Sequence, residues 1–289
     1  MIIEPERHDL RPLDAPVLVM LLDGWVDAGR TLDRLSKAVV GAAAVLVASF
    51  DTDALIDHRG RRPVVHVDDG VNCGIDWPRL DMVAVRDLDG RDLLVLTGPE
   101  PDFGWRGFAT AVVALARELE VRMVLSLGAY PAATAHTRPV TLSGIGTTPA
   151  LVAKVGYLEG RLDVPAGVHA AIERACADAG IPAVGLWAPV PHYLATETFP
   201  GATLALLRGL ENVADRRFVT PALESEAATV LARLDSLVRA DSERSALVAA
   251  LETPGDMVRH GHPADLPTGD ELAAFLEQYL DDSNGDEGD

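Results

Sequence analysis

Largely apolar runs that stop in polar loops rich in Gly and Pro constrain this chain more than any other feature. Residues 16–22, 93–96, 121–127 and 184–190 are such runs, each of strand length. A strand that is apolar on both faces belongs inside a sheet covered on both sides. Between and beside these runs lie stretches with apolar residues at helical spacing, at 31–40, 105–118, 168–179 and 202–210, and a further strand at 45–50. The alternation predicts an α/β protein with three layers, αβα, built round a mostly parallel sheet. In a parallel sheet the loops that follow the strands gather at one carboxyl edge, where open α/β folds place their ligand sites.

Those loops carry the chemistry of the chain. Gly24, Trp25 and Asp27 follow the first run, and Glu100 and Asp102, stiffened by Pro99 and Pro101, follow the second. His136, Thr137 and Arg138 follow the third, and His192 and Tyr193 the fourth. A carboxylate such as Glu100 suits acid–base work or hydroxyl binding, and the His, Thr and Arg group suits an anion or a carbonyl. Gly24, Trp25, Asp27, Glu100, His136, Thr137, Arg138, His192 and Tyr193 are therefore the candidate ligand cleft, and convergence at one edge is the geometric expectation. Each also has a plainer reading. Asp27 suits a helix N-terminus, where the dipole stabilises a carboxylate, and Asp102 suits the cap of the helix at 105–118.

Other chemistry finds less support. Gly24 to Thr31 has the spacing of a phosphate-binding loop, yet Asp27 would face the phosphates and Trp25 would obstruct the wrap. Ser126 and Ser143 lack a nucleophile elbow, and Cys73 has no recognised reactive setting. Asp51, Asp53 and Asp57 imitate a calcium loop, but Ile56 stands where Gly is needed and Arg62 where a bidentate Glu belongs. His260 and His262 have no clustered partners. The sequence thus calls for no catalytic residue, metal or cofactor, and it leans away from an enzyme.

Charge narrows the partners. Twenty-five basic against 44 acidic residues give a formal net charge of −19, which repels nucleic acid and anionic membrane surfaces. Two cysteines are too few for a disulfide framework, no apolar run approaches the ~20 residues that cross a bilayer, and the first residues lack a signal-peptide pattern. A soluble, cytoplasmic protein is expected.

One segment departs from the alternation. Two strand-like runs over 82–96 are joined at Asp89 and Gly90, a dipeptide suited to a tight hairpin. Residues 1–214 read as the α/β core carrying this hairpin insertion near 82–96. Residues 215–280 read as a helical subdomain, with Pro221 opening one helix and Thr268 to Glu271 opening another. Residues 281–289 read as an acidic, disordered tail, dispensable for folding.

The four loop motifs, in this order, resemble the proteasome assembly chaperone family, in its bacterial, actinobacterial-type branch. The resemblance covers about residues 15 to 210 and extends more loosely to the helical remainder. It implies a core like that of the phosphorylase/hydrolase-like fold, a C-terminal helical lid over the sheet edge, and a hairpin insertion used in oligomerisation. On that basis the expected function is a non-catalytic assembly protein, a homotrimer, with proteasome subunits as a further partner. The alternative is an enzyme or binding protein for a small polar metabolite, nucleoside-like or a carboxylate, in a cleft under the lid. The chain ends Glu-Gly-Asp, without the Tyr-containing terminus by which archaeal relatives engage the proteasome.

Overall fold

In the computed structural model, residues 3–8, 11–24, 27–41 and 43–252 are described, together with the backbone of 258–259. The elements in chain order are β1 (Glu6–Arg7), β2 (Val17–Asp23), α1 (Thr31–Val40), β3 (Val45–Ser49), α2 (Thr52–Leu55), β4 (Val64–Asp68), β5 (Val71–Asp76), β6 (Asp81–Arg86), β7 (Asp92–Pro99) and α3 (Trp105–Glu118). They continue with β8 (Met123–Ala132), β9 (Ser143–Gly146), α4 (Pro149–Val155), β10 (Tyr157–Leu158), α5 (Val168–Asp178), β11 (Ala183–Pro191), α6 (Pro200–Ala214), α7 (Pro221–Arg239), α8 (Ser242–Leu251) and β12 (Val258–Arg259). The second expected helix of the C-terminal region and the acidic tail lie outside the described residues.

The central sheet has eight strands in the order β1-β3-β6-β7-β2-β8-β11-β9. Its middle is the parallel set β7, β2, β8 and β11, flanked by antiparallel β6 and β9. Successive side chains of a strand point to opposite faces, so one apolar strand feeds two cores. Val17, Val19 and Leu21 of β2 enter a core with Leu32 and Leu35 of α1 and Leu206 and Leu210 of α6. Leu18, Met20 and Leu22 enter the other, with Phe108 and Val112 of α3 and Ile172 of α5. The result is three layers, αβα, as the alternation implied.

The hairpin at 82–96 is not an insertion. Its two strands are β6 and β7, and β6 is hydrogen-bonded on its other side to β3, so both lie inside the sheet and are largely buried. The connection is also longer than a two-residue turn. The Asp87 carboxylate accepts the N–H groups of Asp89, Arg91 and Arg217, and Gly90 has φ +77°. A different hairpin stands out from the body: among the described residues β4 and β5 pair only with each other, across Asp69 and Gly70, both at positive φ. Val64, Val65, Val67, Val71 and Ile75 on it are exposed.

Helices α7 and α8 follow α6, with α7 packed against α6 and α8 against α7. No residue of α7 is fully buried, and charged ties hold it: Arg34 of α1 to Glu226 at 2.5 Å and Arg208 of α6 to Glu224 at 3.0 Å.

Candidate functional site

The loop after β2 forms the entrance to α1. Asp27 makes a parallel bridge to Ala129, and its Oδ1 accepts the N–H groups of Thr31 (2.8 Å) and Leu32 (2.9 Å). Two free amides at a helix start are thereby satisfied by a carboxylate in the favourable field of the helix. Burial raises the Asp27 carboxyl above the ordinary carboxylate range, the two amides oppose that, and Asp23 and Asp33 add to it. Gly29, at φ +73°, exchanges backbone hydrogen bonds with Ala195 and Phe199, which locks the β2 loop to the loop after β11. Trp25 lies outside the described residues.

Glu100 follows β7 and is buried. Its N–H donates to Asp23 O at 2.9 Å, and its Oε1 accepts the N–H of Val168 at 2.5 Å, so it caps α5 from a distant part of the chain. A Cβ on Gly24 would lie 2.9 Å from Glu100 Oε2, and one on Gly167 would lie 3.0 Å from Oε1. Glycine at both positions makes room for the carboxylate. The plainer readings of the carboxylate pair are thus exchanged. Asp102, read from sequence as the cap of α3, instead accepts the N–H of Asp57 at 2.7 Å, while Gly104 occupies the α3 cap position. Glu100 is the helix cap, because its chain end reaches the second helical layer and Asp102 points to the α2 loop.

His136 and Tyr193 come together from the ends of β8 and β11. The Tyr193 hydroxyl accepts the His136 backbone N–H at 2.9 Å and lies 2.7 Å from Nδ1, with the rings edge to face. The Tyr193 hydroxyl then donates its proton to an unprotonated Nδ1, and the imidazole's own proton sits on Nε2. The His136 side chain is fully buried, and Nε2 faces Asp235 Oδ1 of α7 at 3.3 Å without hydrogen-bond geometry. Thr137 donates from Oγ1 to Glu252 Oε1, just beyond α8, at 2.7 Å. Burial raises the Tyr193 hydroxyl, the His136 amide opposes this, and Glu252 adds to it. His192 is exposed and meets Tyr193 edge to face at 5.4 Å.

All these residues lie near the carboxyl edge of the parallel strands, in separate groups. His136, Thr137 and Tyr193 form one cluster, and Arg138 shares with His136 a cavity of about 790 Å³ between α6, α7 and the 138–142 segment. The Asp27 carboxylate serves α1 in one helical layer, and that of Glu100, beside Gly24, serves α5 in the other.

The sequence reading passed over a polar pair inside the second layer. Glu173 of α5 is buried and accepts a hydrogen bond from Ser126 Oγ of β8; burial pushes its carboxyl up to about 7, against the effect of that hydrogen bond. A Cβ on Gly185 would lie 2.7 Å from Ser126 Oγ and 3.0 Å from both Glu173 Oε1 and Trp187 Nε1, so glycine leaves space for the group. One turn earlier, His169 is buried with Nε2 lacking a hydrogen bond, and desolvation lowers it although Glu100 pulls it up. The available signal was spacing: His169, Glu173 and Cys176 lie at helical repeat with apolar Ile172. Among the described residues no group of three or more His, Cys, Asp or Glu is placed to hold a metal ion. Asp51 instead caps α2, and Asp57 accepts the Arg59 N–H. His260 and His262 lie outside the described residues. Nor is any helix among the described residues long and apolar enough to cross a membrane.

Comparison with known proteins follows the same outline. The profile of the PAC2 family matches residues 21–238. A Corynebacterium glutamicum protein of unknown function is 30% identical with a TM-score of 0.79, covering 96% of this chain and 100% of its own. A Mycobacterium tuberculosis protein of unknown function, Rv2714, is 33% identical with a TM-score of 0.77, covering 98% and 92%. The Mycobacterium tuberculosis proteasome-assembly chaperone homologue Rv2125 is 33% identical with a TM-score of 0.74, covering 81% and 99%. No curated protein matches.

Proposed function

This chain belongs to the PAC2 family, and on that premise we propose that it is a non-catalytic assembly protein of the cytoplasm, a homo-oligomeric scaffold that engages proteasome subunits. The observation carrying the reading is the likeness, over 81% of this chain, to a proteasome-assembly chaperone homologue at 33% identity. The test is direct. Purified protein is mixed with the proteasome α-subunits of the same cell and run by size exclusion. Co-elution is expected with unassembled α-subunits, and separate elution at micromolar concentration counts against the reading.

Self-association is assigned to the β4–β5 hairpin. An isolated two-stranded ribbon is marginal in water, and this one exposes five branched apolar side chains that a second copy would cover. Three copies is the number that the family resemblance implies. Replacing Val65 and Ile75, cross-strand partners, by Lys is expected to give a monomer by light scattering with the fold retained. A monomeric wild-type protein, or a variant of unchanged size, would remove the hairpin from this role.

A further inference from the structure

The cavity between α6 and α7 has features that an assembly role does not use. Its volume of about 790 Å³ falls within the range of small-molecule sites. Leu142, Phe199, Leu204 and Leu231 give it apolar walls, and Ala205 and Ala227 keep its two helical sides short. The charge around it runs against the rest of the chain. Among the described residues, Arg138, Lys154 and Arg208 line it beside one acidic residue, Glu224, whereas the whole chain has 44 acidic and 25 basic residues.

Arg208 and Glu224 pair with each other, but Lys154, one of two lysines in the chain, makes no ion pair with any described residue. The second observation is His136. It lines the same cavity, its side chain is fully buried, and Nε2 makes no hydrogen bond although Asp235 stands 3.3 Å away. Leaving a buried N–H unsatisfied costs a folded protein free energy, which a ligand acceptor recovers. A net negative protein repels anions at long range, so a local cluster of cations over apolar walls selects for a particular kind of molecule.

We propose that this cavity binds a small organic acid with an apolar body, its carboxylate held at Lys154 and its body lying between α6 and α7. The inference goes beyond the assembly reading and does not depend on it. It places this acid beside His136 and Arg138, which line the cavity, and leaves Asp27 and Glu100 to the helix starts.

Decanoate, kept below its micelle concentration, is the probe. Calorimetry on the full chain is expected to show saturable binding at one site, with 1-decanol and acetate each weaker by roughly tenfold or more, because one lacks the charge and the other the body. Lys154→Gln should lower decanoate affinity roughly tenfold and leave 1-decanol unchanged. Ala227→Phe should abolish binding by filling the cavity from α7, and the His136 ring signals in NMR should move with decanoate alone. The proposal is overturned if 1-decanol binds as tightly as decanoate, if Lys154→Gln changes nothing, or if uptake never saturates, as for a detergent. It is also overturned if decanoate binds only after residues 260–289 are removed, since the cavity would then belong to the chain's own end. Oligomer size and proteasome binding are unaffected by these outcomes, so failure here is distinguishable from failure of the assembly reading.

Discussion

Glu173 shows how much one side chain can weigh on the stability of a domain. A carboxyl placed under a helix with only a serine hydroxyl to bond it is more stable as the neutral acid, and burial raises it from 4.5 to about 7. The folded chain therefore holds this proton more tightly than the unfolded chain. The stabilisation by the protonated group is complete below about pH 4.5 and is lost as the pH rises to about 7, a difference of roughly 3 kcal/mol. Glu173→Gln keeps an acceptor for Ser126 and removes the ionisation. Urea unfolding at pH 5 and pH 8 should show wild-type stability falling relative to the variant as the pH rises, with the variant the more stable at pH 8. Parallel pH trends for the two proteins would mean that Glu173 ionises without constraint. Asp27 is raised in the same direction by its burial, but there two helix amides oppose the effect.

At the scale of elements, the close approach of two chain segments sets local sequence. Gly98, near the end of β7, has φ +128°, and a Cβ there would lie 2.2 Å from Arg79 O and 2.9 Å from Leu80 Cα. Both the dihedral and the contact exclude a side chain, and the obstacle is backbone that cannot step aside. Gly98→Ala should therefore cost about 3 kcal/mol or more and lower the thermal midpoint markedly, whereas Gly41→Ala, with open space around it, carries only the penalty of its positive φ. Equal effects of the two substitutions would show that the β7 edge yields more than this geometry allows. Beyond Gly98 the strand runs on to Pro99 beside Asp23, and Glu100, the next residue, reaches the start of α5 with its carboxylate.

For the whole molecule, charge sets the balance. A formal net charge of −19 on 289 residues is a standing self-repulsion, and the exposed ion pairs that partly offset it are individually weak. Raising NaCl from about 0.02 M to about 0.3 M shortens the screening length severalfold and should raise the thermal midpoint. A fall would reveal that the ties of α7, Arg34 to Glu226 and Arg208 to Glu224, matter more than the repulsion they sit in. The placement of α7 is the least apolar attachment in the layer, since none of its residues is fully buried.

What the sequence determined by itself is the parallel strands of the sheet, the main helices that cover it and the edge at which its polar loops collect. Helices α1 and α3 begin and end where the apolar spacing says, and β2, β7, β8 and β11 carry the apolar runs. Those features are local: a repeat of 2 or 3.6 and a Gly or Pro that ends it act within a few residues. What only the tertiary structure decided is which group meets which. Glu100 finds its amide 68 residues away at Val168, and His136 finds its hydroxyl 57 residues away at Tyr193. The two hairpins make the same point. Asp69-Gly70 and Asp89-Gly90 carry the same turn signal, and the sequence reading took the second for the insertion. The β6 strand is interior because β3 arrives to pair with it and two helical layers close over it, whereas among the described residues nothing pairs with β4 and β5 except each other. Turn chemistry is written in two residues, but burial depends on segments that are distant in the chain and become neighbours only when the sheet assembles.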